Sequence, residues 1–347
     1  MLELVLAAAP IGVAPTDNSW INFDFTALFQ NFWSATFDGV TFGAVYGLIA
    51  VGYTLVYGVL SLINFAHSEV FIVGAYGVVV TLLTLGFGPN APTLSPVAII
   101  GDLLLAMIVG MIASALTALL LERIAYRPLR RRNAPRLAFL ITAIGASFAI
   151  QYTIFLIQGP LGGPSGANAM PSVTMFQQHP VFDVFGTIIY DVQLIIVIAA
   201  IVLMIATDLF IRRGRTGRGI RAVAQDPDTA TLMGVNRERI IVITFVVGGI
   251  LAGAAALFYI MLVPSGVIYN GGFILGVKAF AAAVLGGIGN VRGALLGGLL
   301  LGVISNYGQI LLGDAQWADV VAFVVLVLVL LIRPEGILGQ TLGRSRA

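Results

Sequence analysis

The chain has 347 residues, 59% of them hydrophobic and 10% charged, with 41 glycines, no cysteine and a net charge of +2. A soluble domain wets its surface with roughly a quarter charged residues, so this composition, at a mean hydropathy of +1.01, excludes a soluble globular protein and identifies an integral membrane protein. The apolar content excludes disorder, and the missing cysteines exclude disulfides, a thiolate nucleophile and Cys-ligated metal.

Residues 1–38 carry Glu3, Asp17, Asp24 and Asp38 and no Lys or Arg. Their opening, MLELVLAAAPIGVAP, lacks the basic start of a secretory signal, and the stretch reads as an extracytoplasmic N-terminal segment. Eight apolar runs follow, at 39–57, 69–86, 97–121, 137–157, 192–211, 239–262, 291–311 and 317–332. Each approaches the ~20 helical residues that cross a ~30 Å hydrocarbon layer.

The charge between these runs is sorted. Arginines cluster in 123–136, 212–239 and 333–346, whereas 1–38, 86–96, 158–191 and 313–319 hold no Lys or Arg, and all of them but 86–96 carry acids. Basic loops stay in the cytoplasm, which places the N-terminus outside and the C-terminus inside. For Arg333 to end inside, 274–311 must cross an even number of times: a short descending piece near 276–287, a turn at GGIGN (286–290), and an ascending helix. The expected fold is therefore an all-α polytopic membrane protein of about eight transmembrane helices plus a short broken, re-entrant segment. The turn at 60–68 falls at or near the inner face.

Three features stand out. Gly39, Gly43 and Gly47 share a helix face, as do Gly289, Gly293 and Gly297, with Gly249 and Gly253 a shorter case; such ladders bring helices backbone to backbone, either as plain packing or as thin helices that slide along a path. SLINFAHSEVFIVGAY (61–76) sets Asn64, His67, Ser68 and Glu69 between two apolar runs, where ionisable groups are costly and mark function. A structural account competes, with Ser68 capping a helix whose first turn holds Glu69. In RGIRAVAQDPDTATLMGVNRERI, a short helix breaks at Asp226-Pro227, a second helix carries Ala230, Leu232 and Met233, Gly234 ends it, and Asn236 caps the next span. Apolar positions kept at helical spacing beside a membrane point to a socket for a cytoplasmic partner or to a helix lying on anionic lipid.

The chemistry is bounded by what is missing. The single lysine, Lys278, lies between Val277 and Ala279, so there is no phosphate-binding Gly-Lys-Ser/Thr loop. Two histidines, His67 and His179, allow no HExxH site. GPSG (163–166), with Ser165, is Pro- and Gly-flanked in an outer loop and argues against catalysis. No basic-aromatic patch calls for nucleic acid. Transport remains, by a pump, a channel or an ion-driven carrier.

INFAHSEVFIVGAY (63–76), YRPLRRRNAPRLAFLITAIGASFAIQ (126–151), RAVAQDPDTATLMGVN (221–236), LGGIGNVRGALLGGLLLG (285–302) and RPEGILG (333–339) resemble the LivH-type permease subunits of ATP-binding cassette importers for branched-chain amino acids. The likeness runs from about 39 to 339, and Ser68 stands where these permeases more often have glycine. It implies a transmembrane permease domain over 39–339, a cytoplasmic coupling loop at 212–238 and a cytoplasmic tail at 340–347. Arg221, Ala224, Gln225, Asp226, Ala230, Gly234 and Asn236 are the residues of that loop expected to engage an ATPase. The chain itself then binds no cofactor, and ATP with Mg belongs to partner subunits. The implied partners are a second, LivM-like permease, two cytoplasmic ATPases and an extracytoplasmic solute-binding protein docking on 158–191 and 263–275, all at a bacterial inner membrane whose lipid surrounds the helices. Asn64, His67, Ser68, Glu69, Lys278 and Asn290 are expected along the translocation path, because 61–76 and 276–292 are interrupted apolar runs in corresponding positions of the two halves. Urea or a short amide is the alternative solute.

Overall fold

The computed structural model describes residues 23–87, 96–161, 179–263, 268–314, 317–333 and 335–339. Glu3, Asp17, Ser165 and the tail 340–347 lie outside them.

The helices, in chain order, are α1 (Phe25–Gln30), α2 (Phe32–Leu60), α3 (His67–Thr84), α4 (Pro96–Leu121), α5 (Arg127–Arg131), α6 (Arg136–Leu161), α7 (Asp191–Arg213), α8 (Arg215–Gln225), α9 (Pro227–Leu232), α10 (Arg237–Leu262), α11 (Gly272–Gly286), α12 (Val291–Leu312) and α13 (Trp317–Ile332). Seven are long and apolar enough to cross a membrane: α2, α3, α4 extended through α5, α6, α7, α10 and α12. The expected run 317–332 forms α13, shorter than those seven, and the descending piece forms α11. The first span starts at Phe32 and not at 39, because Asp38 does not end it: Gln193 of α7 donates to its carboxylate at 2.7 Å, and a paired carboxylate is tolerated within a helix.

One element was not expected. Within the outer loop, Pro180–Val184 (β1) and Thr187–Tyr190 (β2) form an antiparallel hairpin closed by Phe185 and Gly186, with φ of 53° and 79°. Two successive residues at positive φ match the right-handed twist of a two-residue hairpin. Phe185 stacks on Trp33 at the start of α2, centroids 4.6 Å apart.

Backbone-to-backbone packing builds the centre. A Cβ on Gly43 would come within 2.7 Å of Gly298 O and Leu299 Cα, and one on Gly39 within 2.6 Å of Val303 Cα, so the ladder of α2 is the seam with α12. Gly249 and Gly253 seat α10 on α4 at Ser114, Ala115 and Met111. Gly293 and Gly297 pack against α11, but Gly289 is no rung of that ladder; it turns the chain before α12 at φ +97° with nothing near it. The ladders are packing seams. Around α2, α3 and α10, which are mostly buried, α4, α6 and α7 present rows of exposed Ile, Leu and Phe, the surface that lipid or another membrane subunit covers.

The described arginines of the first two clusters, and the segment that follows Arg333, lie at one end. Arg130 pairs with Glu122 at 2.6 Å and Glu238 at 3.0 Å, joining the first cluster to the second. Arg292 reaches Asp208 at 2.8 Å beside Arg212. The segment after α13 folds back on the α11–α12 turn, where Leu338 N donates to Gly286 O and Asn290 Nδ2 to Leu338 O, each at 3.0 Å. The opposite end gathers Asp38 with Gln193, Thr36 with Tyr307, and Asp24 N with Leu311 O. The sorting of charge along the sequence is thus a sorting in space.

Candidate functional site

α2 ends at Ser61, a left-handed residue (φ 52°) that reverses the chain. Residues 61–66 then climb back into the bundle before α3 begins. The depth follows from neighbours. The His67 ring lies against Gly52 and Gly248, and Gly248 stands about 17 Å above Arg237 at 1.5 Å per residue. Glu69 accepts from Ser147 and Gln151 at 3.1 and 2.9 Å, residues about 17 and 23 Å along α6 from Arg136. His67 to Glu69 therefore lie in the middle of the bundle, not at the inner face. Residue counting missed this because an 18-residue helix is long enough to be read as starting at the surface.

Asn64, His67, Ser68 and Glu69 are all buried, Glu69 completely. Asn64 Oδ1 accepts from Ala66 N at 3.1 Å and from the Tyr126 hydroxyl at 2.8 Å. The residue that precedes α3 is Ala66, which makes no side-chain cap, and Ser68 Oγ donates back to Phe65 O at 2.9 Å; the expected Ser68 cap is absent because the helix begins at His67, two residues earlier than such a cap requires. Gly272 and Gly276 of α11 lie directly on Glu69 and Ser68, and Cβ atoms there would strike both side chains. Tyr53 packs edge-on to His67 at 4.8 Å. Asn64 Nδ2, His67 Nε2, Glu69 Oε2 and Thr54 Oγ1 are buried without a hydrogen-bond partner among the described residues. A buried polar atom without a partner costs about 1–3 kcal/mol. Such atoms gathered where α3 and α11 both begin within the bundle form a polar seat in an otherwise apolar interior.

Lys278 and Asn290 are placed elsewhere. Lys278 forms an ion pair with Asp319 of α13 and lies over the Tyr46 ring. Asn290 is at the arginine end, accepting from Arg292 N at 3.1 Å and Gly293 N at 3.3 Å as the cap of α12; its side chain explains the turn and does not face the polar seat.

The loop 212–238 is built as two short helices. α8 turns tightly off α7: Gly217 abuts Ile211 O, which also accepts from Arg221 Nη1. Gly219 lets it lie against Ile240 of α10. Asp226 caps α9, accepting from Asp228 N at 3.0 Å and Thr229 N at 3.1 Å, with Pro227 in the first turn. The Thr229 hydroxyl, with the Thr229 and Asp228 amides, holds the Asp226 carboxyl below its ordinary value of 3.8. Gly234 at φ +84° closes α9, with Val235 N returning to Ala230 O at 3.0 Å, a glycine-terminated helix end. Asn236 caps α10 through Arg239 N at 3.0 Å. Ala230 is buried, Ala224 and Gln225 are exposed, and Leu232 and Met233 stand out at 87% and 80% exposure. A capped, glycine-locked turn thus holds two apolar side chains out from the bundle.

Residues 35–330 match the family described as the branched-chain amino acid transport system permease component. The chain belongs to this family. It is 43% identical over 309 residues to the high-affinity branched-chain amino acid transport system permease protein BraD of Pseudomonas aeruginosa, covering 87% of this chain and 94% of that one. It is 39% identical over 322 residues to LivH of Salmonella typhimurium, covering 90% and 97%. A probable LivH of Methanocaldococcus jannaschii is 28% identical over 301 residues, covering 84% and 88%. No solved structure matches.

Sequence reasoning missed Ser147, Gln151 and Tyr126. Ser147 and Gln151 are spaced i, i+4 within an apolar span whose other faces, at Ile141, Phe148 and Tyr152, are exposed. A polar pair on one face of a membrane helix is a signal for a buried polar partner, and it stood in ITAIGASFAIQ. Tyr126 carried no such mark, since its partner lies 62 positions away.

Proposed function

We propose that this chain is the transmembrane permease subunit of an ATP-binding cassette importer that moves branched-chain amino acids inward by alternating access. The observation that carries the reading is the family match over 35–330, together with relatives at 39–43% identity over nearly their whole length that are named as high-affinity branched-chain amino acid permeases. ATP and Mg are held by two separate cytoplasmic ATPases, a LivM-like permease completes the membrane core, and an extracytoplasmic binding protein delivers the amino acid across a bacterial inner membrane. The arginine end is cytoplasmic and the hairpin end external, a reading supported by the gathering of the described basic residues at one end.

Asn64, His67, Ser68 and Glu69, with Ser147 and Gln151, form the polar part of the path, and Leu232 and Met233 at the tip of 212–238 press into an ATPase. A solute shifts the equilibrium between inward and outward states only through its different affinity for the two; the unpartnered atoms at Asn64 and Glu69 supply such a difference. Lys278 and Asn290 support the bundle beside this path.

The test is reconstitution of this chain with its permease partner, ATPases and binding protein in vesicles, measuring ATP-dependent leucine uptake with urea as competitor. Uptake that leucine, isoleucine and valine compete for and urea does not is expected. Competition by urea alone identifies the other solute, and transport by the purified chain without ATPase overturns the reading. Replacing Gly234 with leucine, which forces a branched residue into left-handed backbone at about 1–2 kcal/mol, is expected to uncouple ATP hydrolysis from uptake while the protein stays inserted; unchanged coupling counts against the loop's role.

A further inference from the structure

The cytoplasmic end of the bundle contains a π-helical turn, Glu122–Tyr126, between α4 and α5. Its cause is local. Pro128 has no amide to donate and its ring crowds the carbonyl four residues back, so the helix widens and Arg127 N reaches back to Glu122 O. Widened turns of this kind gather at functional positions. This one redirects two side chains. Glu122 is fully buried and paired with Arg130 at 2.6 Å. Tyr126 is also buried, its ring between Phe245 of α10 and Phe139 of α6, with centroids 5.4 and 6.0 Å away, and its hydroxyl donates to Asn64 at 2.8 Å.

Each side of this turn joins a different part of the machine. Outward, Arg130 and Arg127 both reach Glu238, at 3.0 and 3.2 Å. Glu238 lies in the first turn of α10, which Asn236 caps and against whose Ile240 Gly219 of α8 is packed. Inward, Asn64 sits in the turn that starts α3 and faces a cavity lined by Tyr53, Tyr57, Ile63, Phe280 and Ile288. The Asn64 amide nitrogen has no partner among the described residues, so Tyr126 is the one side chain that fixes this residue's orientation.

We propose that the Tyr126–Asn64 hydrogen bond is the joint through which displacement of the coupling loop reaches the intramembrane turn, Tyr126 acting as a positioning residue for Asn64. The proposal rests on the permease reading above. Movement of the 226–236 loop tilts the first turn of α10; the Glu238–Arg130–Glu122 chain carries the tilt to the π turn; Tyr126 then draws Asn64 and, with it, the start of α3. A π turn suits this place because its extra residue can be absorbed or released as the helix shifts.

The experiment uses the assembled transporter in vesicles, measuring leucine moved per ATP hydrolysed. Tyr126→Phe keeps the ring in its aromatic seat and removes the hydroxyl. A fall of about fivefold in the ratio is expected, the size that losing one buried neutral hydrogen bond gives, with ATP hydrolysis retained and the unfolding temperature near wild type. In an Asn64→Ala background, Tyr126→Phe is then expected to change the ratio less than about twofold, because the two residues act as one unit. Glu238→Gln, on a partly exposed side chain that tolerates change, is expected to lower the ratio in the same direction. An unchanged ratio in Tyr126→Phe, or effects of Tyr126→Phe and Asn64→Ala that multiply independently, overturns the proposal; if Tyr126→Phe does not assemble, an unchanged ratio in Glu238→Gln does so. Wild-type uptake that needs no ATPase refutes the permease reading itself and is distinguishable from either result.

Discussion

Replacing Gly43 with alanine tests the seam between α2 and α12. The added methyl would sit 2.7 Å from Gly298 O and from Leu299 Cα and 3.0 Å from Leu299 O. All three are backbone atoms, so no rotamer change relieves the clash, and the helices must part by about 1 Å to restore ordinary contact near 3.5–4 Å. Parting them loosens the neighbouring close approaches of Gly39 and Gly47 as well. Overpacking in a tight core costs about 1–3 kcal/mol, and three linked rungs put the expected value near the top, about 3 kcal/mol. Helix propensity works the other way, since alanine is favoured over glycine by up to about 1 kcal/mol, leaving a net loss of about 2 kcal/mol. Gly58 of α2 and Gly145 of α6 are the controls: nothing lies within 4 Å of a Cβ at either, so alanine there is expected to be neutral or mildly stabilising. The assay is denaturant titration of the purified protein in detergent, followed by helical circular dichroism. If Gly43→Ala unfolds together with Gly145→Ala, the backbone seam is not what holds these helices.

Other outcomes follow from the same contacts. Glu69→Ala strips the acceptor from Ser147 and Gln151 and is expected to destabilise the protein by about 2–5 kcal/mol and abolish uptake, while Glu69→Gln, which keeps an oxygen for them, retains most of the stability; equal unfolding curves for the two would show that α6 is not held through this carboxylate. Lys278→Ala leaves Asp319 unpaired, at a cost of about 1 kcal/mol or less because Asp319 is 37% exposed, and is expected to keep most of the uptake; loss of uptake in Lys278→Ala with stability retained assigns the lysine to the solute route. Asp226→Ala removes the cap of α9 and is expected to lower uptake per ATP. Because the folded-state carboxyl lies below 3.8, the cap's contribution is complete above that value and is lost as pH falls through the lower, folded one, so coupling is expected to be flat with respect to this group from about pH 6 to 8; a change in that window abolished by Asp226→Asn would contradict the assignment.

The periodic and punctuated parts of this chain were legible in advance. Apolar runs gave the spans, and arginine sorting gave the two ends, one of which the ion pairs at Glu238 and Asp208 tie together. Asp226, Gly234 and Asn236 were readable because helix ends have local chemistry: a cap or a left-handed glycine acts within four residues. Depth was not legible, since Ser61 reverses the chain by one backbone angle and hydropathy does not record how far 61–66 climbs. Partners distant in sequence were equally hidden, as Glu69 with Gln151 or Tyr126 with Asn64. Lys278 is the one lysine among apolar residues, yet its partner Asp319 reads in the sequence as an outer-loop acid. The hairpin at 180–190 is not legible because alternation in five residues of an outer loop is a faint signal beside twenty-residue runs.

The seam of α2 and α12 also bears on how the molecule moves. Rungs of glycine on α2 receive backbone of α12 at Leu295, Gly298, Leu299 and Val303, and Gly298 and Gly302 of α12 abut the backbone of Gly47, Gly43 and Gly39 in return. A slide of one residue in either direction would bring Leu301 or Val303 to the place of Gly302, where a Cβ would lie 2.2 Å from Gly39 O, so the pair has one register and no neighbouring one to slip into. The two helices must travel as a single rod. Whatever rearrangement opens this bundle first to one side and then to the other is carried by the parts that lack such a lock: the reversed turn at 61–66, the short helix α11 and the peripheral α6 that hangs from Glu69.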